Sequence, residues 1–386
     1  MSTLIAPEVA GRLIAVPERS PWRAALRAAA TVWAVFAAAQ LAVSALARLP
    51  RGDATPMILA WNNWDAGHYV RIAASGYHLG PGFPAFFPLF PLLIHLAGGG
   101  VVAALVVANA ATLGALAVVH RLAEHEFGAR VAGRATWYLA AFPMGFFLFI
   151  GYNESLFLLL AVGALYAGRR GHWWLAGALG ALSSATRLFG LVLMAPLAVE
   201  YLRQVGWQPR RVRADLLGVA LVPLGLVAYA WYCAVELGSP LAFSVAQDQW
   251  GRRYTVPGGA WITAWQQAGG HGLLDPVTLG AVVDAGTTLV AVVLLVLAVA
   301  GPWRFRRDQV YLVVQAGLTL VLLMSTEVGG RAMQSAARYA MEAVAVLLVL
   351  ARMGERPAVD RAVLVLGASL HAAFLIVFMS GKFLVA

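Results

Sequence analysis

The chain has 386 residues and is 61% hydrophobic but only 12% charged. That is half the roughly 25% charge of a soluble domain, which excludes an ordinary soluble protein. The 28 Lys plus Arg outnumber 18 Asp plus Glu, a balance often tied to nucleic acid. Here the charges sit in short segments between apolar runs, so nucleic acid is not expected as a partner. The single cysteine, Cys233, excludes an intrachain disulfide framework or a cysteine-rich metal site.

Residues 1–22 hold Pro7, Pro17 and Pro21 and no apolar core, so no cleavable leader is expected. The first crossing is expected near 24–48. Later apolar stretches lie near 101–119, 135–151, 153–168, 173–186, 188–202, 214–236, 277–301, 308–326, 338–351 and 361–380. Together they predict an all-α polytopic membrane protein of about eleven transmembrane helices, a single domain over 1–386 with no soluble module. Placing the N-terminus in the cytoplasm puts 19 of the 28 basic residues in inner segments, among them Arg12, Arg19, Arg121, Arg169, Arg203, Arg306 and Arg352. The positive-inside rule then sets the C-terminus outside. Nine basic residues break the bias: Arg48, Arg51, Arg71, Arg187, Arg252, Arg253, Arg331, Arg338 and Lys382.

Two outer segments are long, about 49–100 and about 238–276, and long loops are often functional. In the first, Asp65, His68, Tyr69 and Ile72 share one face of a helix. Trp61 and Trp64 suit a membrane–water interface, so an interfacial helix is expected, with Arg71 on an adjacent face. Three prolines in Phe83-Pro84-Ala85-Phe86-Phe87-Pro88-Leu89-Phe90-Pro91 forbid a regular helix there, and 86–97 reads as re-entrant or as a broken lead-in to the next crossing. The second loop carries Asp248, Gln249, Trp250, Arg252, Arg253 and Tyr254, with the same aromatic and basic character. Residues 173–202 have basic clusters at both ends and read as a short hairpin whose tip, ending in Arg187, sits in the outer half of the membrane. An ionisable group there is a functional candidate.

Trp64-Asp65-Ala66-Gly67-His68-Tyr69, then Ile72-Ala73, Gly76-Tyr77 and Phe86-Phe87-Pro88-Leu89-Phe90-Pro91, resembles the PIG-V family, the GPI mannosyltransferase II-like proteins and their bacterial relatives. Tyr152-Asn153-Glu154-Ser155-Leu156-Phe157, Ala185-Thr186-Arg187, Ser239-Pro240-Leu241-Ala242-Phe243 and the segment from Ser335 to Tyr339 are similar and fall in the same order. The resemblance implies a GT-C glycosyltransferase fold with its active site on the extracytoplasmic side of the cell membrane. It also implies inverting transfer of mannose from a polyprenyl-phosphate carrier to a lipid-linked or glycolipid acceptor, with Asp65 as the acidic catalytic residue.

The residues fit that chemistry on physical grounds. Such an enzyme needs a carboxylate to take the acceptor's proton, cations for the phosphate leaving group and an apolar groove for the lipid. Asp65 is the first choice for the base. Glu154 would orient acceptor hydroxyls, pair with an arginine or serve as a second acid–base group. For the phosphate, Arg187 and Arg338 lead, with His68, Arg71, Arg252 and Arg253 as further candidates. Trp64, Tyr69, Asn153 and Tyr339 complete the expected site. His68 and His78, near Asp65 and Asp53, match no standard metal-ligand spacing. There is no nucleotide-binding motif. No cofactor is expected beyond the lipid-linked donor, and a monomer in contact with membrane lipids is expected. The competing reading is a transporter or flippase of a lipid-linked sugar, which would place polar or broken helices near the midplane.

Overall fold

A computed structural model describes residues 21–49, 56–270, 272 and 275–382. Arg12, Arg19, Arg51 and Asp53 lie outside the described residues. The chain runs through α1 (Pro21–Arg48), α2 (Asp65–Ser75), α3 (Leu89–Leu96), α4 (Gly100–Phe127), α5 (Ala129–Ala141), α6 (Glu154–Arg169), α7 (Trp173–Ser184) and α8 (Met194–Gln204). It continues through α9 (Leu217–Ala220), α10 (Leu224–Leu237), α11 (Ala242–Gln249), β1 (Arg253–Tyr254), α12 (Gly259–Gly269) and α13 (Pro276–Ala300). The last elements are α14 (Val310–Leu323), β2 (Thr326–Val328), β3 (Arg331–Ala332), α15 (Ala336–Ala340), α16 (Val344–Met353) and α17 (Pro357–Met379).

The expectation of about eleven transmembrane helices does not hold. Among the described residues four helices are long and apolar enough to cross a membrane: α1, α4, α13 and α17. A fifth span results if Ala214–Ala220 and Leu224–Leu237, bent by 50°, count as one. The apolar runs are real, but most of them break. Pro143, Gly145 and Gly151 end α5 early, and the run expected at 173–202 divides into α7, a 3-10 segment Leu188–Leu193, and α8. Composition misleads here because a helix buried in protein is as apolar as one facing lipid. α6 is the clearest case, since nearly all of it is buried. A three-stranded antiparallel sheet of order β1-β2-β3 was also unforeseen.

The helices begin and stop where their sequences dictate. α13 and α17 each open on proline, which suits the first helical position because its missing N–H has no partner there. α1 buries one stripe, Ala25, Ala29, Val32, Phe36, Gln40 and Ser44, at helical spacing, and turns Leu26, Val35, Leu41 and Leu46 outward. α4 packs on α1, α5 and α6 at the centre of the bundle.

Glycine permits the closest crossing. A Cβ on Gly177 of α7 would stand 1.8 Å from the Gly218 carbonyl oxygen of α9, so only hydrogen fits. Gly177→Ala is therefore expected to lower the melting temperature of the detergent-solubilised protein, in line with an overpacking cost of about 1–3 kcal/mol. Gly133, in α5, has open space around it, and Gly133→Ala should leave that temperature unchanged or raise it.

Two ionic clusters sit at opposite ends of α6. At its C-terminal end Arg169 Nε lies 2.7 Å from Glu126 Oε1, with Glu200 3.1 Å from its Nη1 and Asp308 beside its Nη2. Tyr311 donates to Glu126 at 2.9 Å and Gln309 at 2.8 Å. The Arg-rich segments expected on one side meet at this end: Arg306 pairs with Glu126, and Arg352 donates to the Trp303 carbonyl. The second cluster begins with Glu154, at the other end.

Candidate active site

The first wall of the site is α2. Trp64 precedes it with φ of 56°, a left-handed conformation costly for a bulky residue. The turn starts the helix at Asp65 and aims Asp65, His68 and Tyr69 into one cavity of about 210 Å³, as the helical spacing predicts. Ile72, on the same face, is buried in a neighbouring apolar cluster.

The second wall is the turn before α6. Asn153 and Glu154 are both buried. Asn153 donates to the Thr186 carbonyl at 3.1 Å, and Leu89 N–H donates to the Ala185 carbonyl at 3.0 Å. These bonds seat the tip of the α7–α8 hairpin between the proline-rich loop and α6, and place Arg187 on the cavity wall.

The third wall is α15, a five-residue helix. It is entered through Met333 (φ 57°) and Ser335 (φ 66°), again non-glycine residues in the left-handed region. Asp284 of α13 holds the turn by accepting from Ala337 N–H at 2.8 Å and Ser335 N–H at 3.2 Å. Arg338 and Tyr339 follow and face the cavity.

These walls bring two guanidiniums onto three carboxylates. Arg338 donates from Nη1 to Asp65 Oδ2 at 3.0 Å and from Nη2 to the Tyr339 hydroxyl at 2.7 Å. Its Nε lies 3.3 Å from Glu154 Oε1. Arg187 donates from Nη2 to the same Glu154 oxygen at 2.8 Å and to Asn153, and from Nη1 to Glu342. Arg338 lies over the rings of Phe147, Tyr152 and Tyr339, and Arg187 over Phe157 and Tyr339. Glu154 and Glu342 are 1% and 2% exposed, while Asp65 is 30% exposed. Asp65 is thus the carboxylate of the cluster that a ligand can reach. Glu154 is not among the residues lining the cavity; it lies behind the arginines.

The fourth wall is aromatic and comes from the two long loops. Trp250 donates to the Gly82 carbonyl at 2.8 Å, and its ring meets His68 and Phe86 at centroid distances of 5.2 Å and 5.5 Å. Burial lowers the His68 pKa from its ordinary value, and Arg71 adds to this, while Asp65 pulls it up. Gln247 and Gln334 add amides to the lining. The small sheet fixes this wall to the third: β1 pairs with β2 and β2 with β3, so Arg252 and Tyr254 also reach the cavity.

Of the residues singled out in the sequence, Trp64, Asp65, His68, Tyr69, Asn153, Arg187, Arg252, Arg338 and Tyr339 line this one cavity. Arg71 is exposed and stacks on Phe83 at 4.8 Å. Arg253 is exposed in β1, and neither Arg71 nor Arg253 lines the cavity. Sequence reasoning missed Glu342, Gln247, Gln334 and the support from Asp284. Glu342 and Asp284 did carry a signal, as lone carboxylates in apolar stretches. Among the described residues no group of three His, Cys, Asp or Glu converges to hold a metal ion.

Residues 54–206 match the mannosyltransferase (PIG-V) family, a stretch that holds Asp65, Glu154 and Arg187 but stops short of Arg252 and Arg338. The mouse GPI alpha-1,6-mannosyltransferase 2 is 29% identical over 205 residues, covering 46% of this chain and 41% of that protein. The protein of the same description from Cricetulus griseus is 35% identical over 147 residues, covering 34% and 29%. The chain thus spans less than half the length of these curated relatives. Among solved structures, ArnT from Cupriavidus metallidurans bound to undecaprenyl phosphate superposes with a TM-score of 0.50 at 17% identity, covering 91% of this chain and 76% of that one. The apo form gives the same TM-score and identity. The chain is a multi-helix, membrane-associated protein that shares its fold with ArnT and matches the mannosyltransferase (PIG-V) family over residues 54–206.

Proposed function

We propose that this protein is an integral-membrane mannosyltransferase. It moves mannose from a polyprenyl-phosphate carrier to a lipid-linked or glycolipid acceptor, with inversion at the anomeric carbon. The observation that carries the reading is the reachable Asp65 carboxylate, 3.0 Å from the buried Arg338, in a cavity shared with Arg187 and Arg252 and walled by aromatic rings.

In this reading the acceptor hydroxyl attacks the anomeric carbon and gives its proton to Asp65. The bond from that carbon to the phosphate oxygen breaks, and its electron pair stays on the phosphate. The cavity's arginines meet the charge that develops there. Arg187 and Arg338 are largely withdrawn from water, where electrostatic interactions are strengthened. Glu154 serves by pairing with the arginines. The sugar packs against Trp250 and His68, and Gln247 and Gln334 offer amides to its hydroxyls.

The match to PIG-V over residues 54–206 supports mannose as the sugar, and the ArnT likeness supports the fold. The gathering of Arg121, Arg169, Arg306 and Arg352 at the end of the bundle away from the cavity supports a cytoplasmic N-terminus and an extracytoplasmic site. The whole chain, 1–386, acts as one domain in the cell membrane. The test is transfer of labelled mannose from a short-chain polyprenyl phosphate to a membrane-lipid extract by the purified protein. Label appearing in a new glycolipid supports the reading. Label remaining on the carrier, with every acceptor fraction offered, refutes it.

A further inference from the structure

The three cavity arginines differ in how they are occupied. Arg187 and Arg338 are committed to Asp65, Glu154 and Glu342. Counted formally, that is two positive charges against three negative ones. Glu154 Oε2 is already buried without a partner. An anion that drew these guanidiniums away would strand further buried carboxylates, and an unpaired buried charge is strongly destabilising.

Arg252 differs from both. It lines the same cavity, and among the described residues no carboxylate pairs with it. Its Nε is buried with no hydrogen-bond partner; Arg338 Nε also lacks one, but lies 3.3 Å from the Glu154 carboxylate. The backbone around it is fixed: Arg252 N–H donates to the Gln247 carbonyl at 3.1 Å, and Gly329 N–H donates to the Trp250 carbonyl at 3.0 Å. A second small pocket places Arg252 beside Thr326, Gln334 and Tyr339. Arg252 is thus a cavity-lining cation with spare donor capacity.

We infer that Arg252 makes the direct contact to the phosphate of the lipid-linked donor, while Arg187 and Arg338 chiefly hold the carboxylates in place. The inference rests on the transferase reading for the identity of the anion. When the sugar leaves, the phosphodiester monoanion becomes a monoester whose second ionisation lies near pH 6, and Asp65 takes up the acceptor's proton. The added negative charge falls on the group that Arg252 faces. The planar fork of Arg252 suits two phosphate oxygens at once.

The experiment is equilibrium binding of a short-chain polyprenyl phosphate, and of the matching uncharged polyprenol, to the purified full chain. The wild type should prefer the phosphate by about tenfold or more, a ratio typical of a charge-assisted bond. Its preference should grow from pH 5 to pH 7.5 as the monoester ionises. Arg252→Gln should abolish both the preference and its pH dependence. Arg252→Lys should retain part of each, which guards against misfolding as the cause. Arg338→Gln should cost the preference far less than Arg252→Gln does. A phosphate preference that survives Arg252→Gln but disappears in Arg338→Gln overturns the inference and leaves the transferase reading standing. A wild type that binds phosphate and polyprenol equally overturns both. An Arg252-dependent preference in a protein that transfers no sugar supports the anion site and removes the transferase reading alone.

Discussion

Asp65→Asn is expected to lower mannose transfer by about 10²–10⁴-fold, the usual contribution of a positioned general base. The substitution is chosen because it spares the architecture. An asparagine oxygen still accepts from Arg338 Nη1, as Asp65 Oδ2 does at 3.0 Å, so the α2–α15 contact persists. What is lost is the ability to take a proton. Turnover and kcat/KM should therefore fall together, while the donor's KM stays within a few-fold. Steady-state transfer of labelled mannose from a short-chain carrier, at several donor concentrations, separates these quantities. A drop of less than tenfold in turnover would remove Asp65 from the role of base.

Glu154→Ala is expected to cost stability heavily, by about 3–5 kcal/mol. One oxygen of this buried side chain faces both Arg187, at 2.8 Å, and Arg338, at 3.3 Å. Alanine removes the carboxylate that both guanidiniums share, leaving Arg187 with Glu342 alone and Arg338 with Asp65 alone, and takes hydrogen-bond acceptors out of a place where little water can reach. Glu154→Gln keeps an acceptor in the same place and should lose less. Thermal melting of the three proteins in one detergent orders them as wild type, Gln, then Ala. A Glu154→Ala protein that melts with the wild type would show that the arginines are neutralised some other way.

Much of this cavity's lining is legible in the sequence. Asp65, His68 and Tyr69 were grouped because helical periodicity puts them on one face, and a short regular helix obeys that geometry. Arg187 stands out in the sequence because basic residues flank both ends of 173–202, which suggests a hairpin with a tip between them. Other parts had no such handle. The strands Arg253–Tyr254 and Arg331–Ala332 are two residues each, too short for any alternation to register. They join segments more than 70 positions apart, so Arg252, Gln334 and Tyr339 look unrelated along the chain. Glu342 was passed over because an acid in an apolar run shows neither its depth nor its partner. The number of crossings went wrong for a different reason. Hydropathy measures distaste for water and does not distinguish a lipid neighbour from a protein one, so α6 and its neighbours read as spans.

The opposed clusters on α6 have a mechanical consequence. The helix has 16 residues, or about 24 Å at 1.5 Å per residue. Glu154 pins its first turn to two arginines, and Arg169 pins its last turn to Glu126, Glu200 and Asp308. A slide by one turn would pull both ends out of register at once, and a tilt would stretch one anchor against the other. α6 is a strut of fixed length. Any rearrangement that widened the cavity would then fall to α2 and the proline-rich loop rather than to α6.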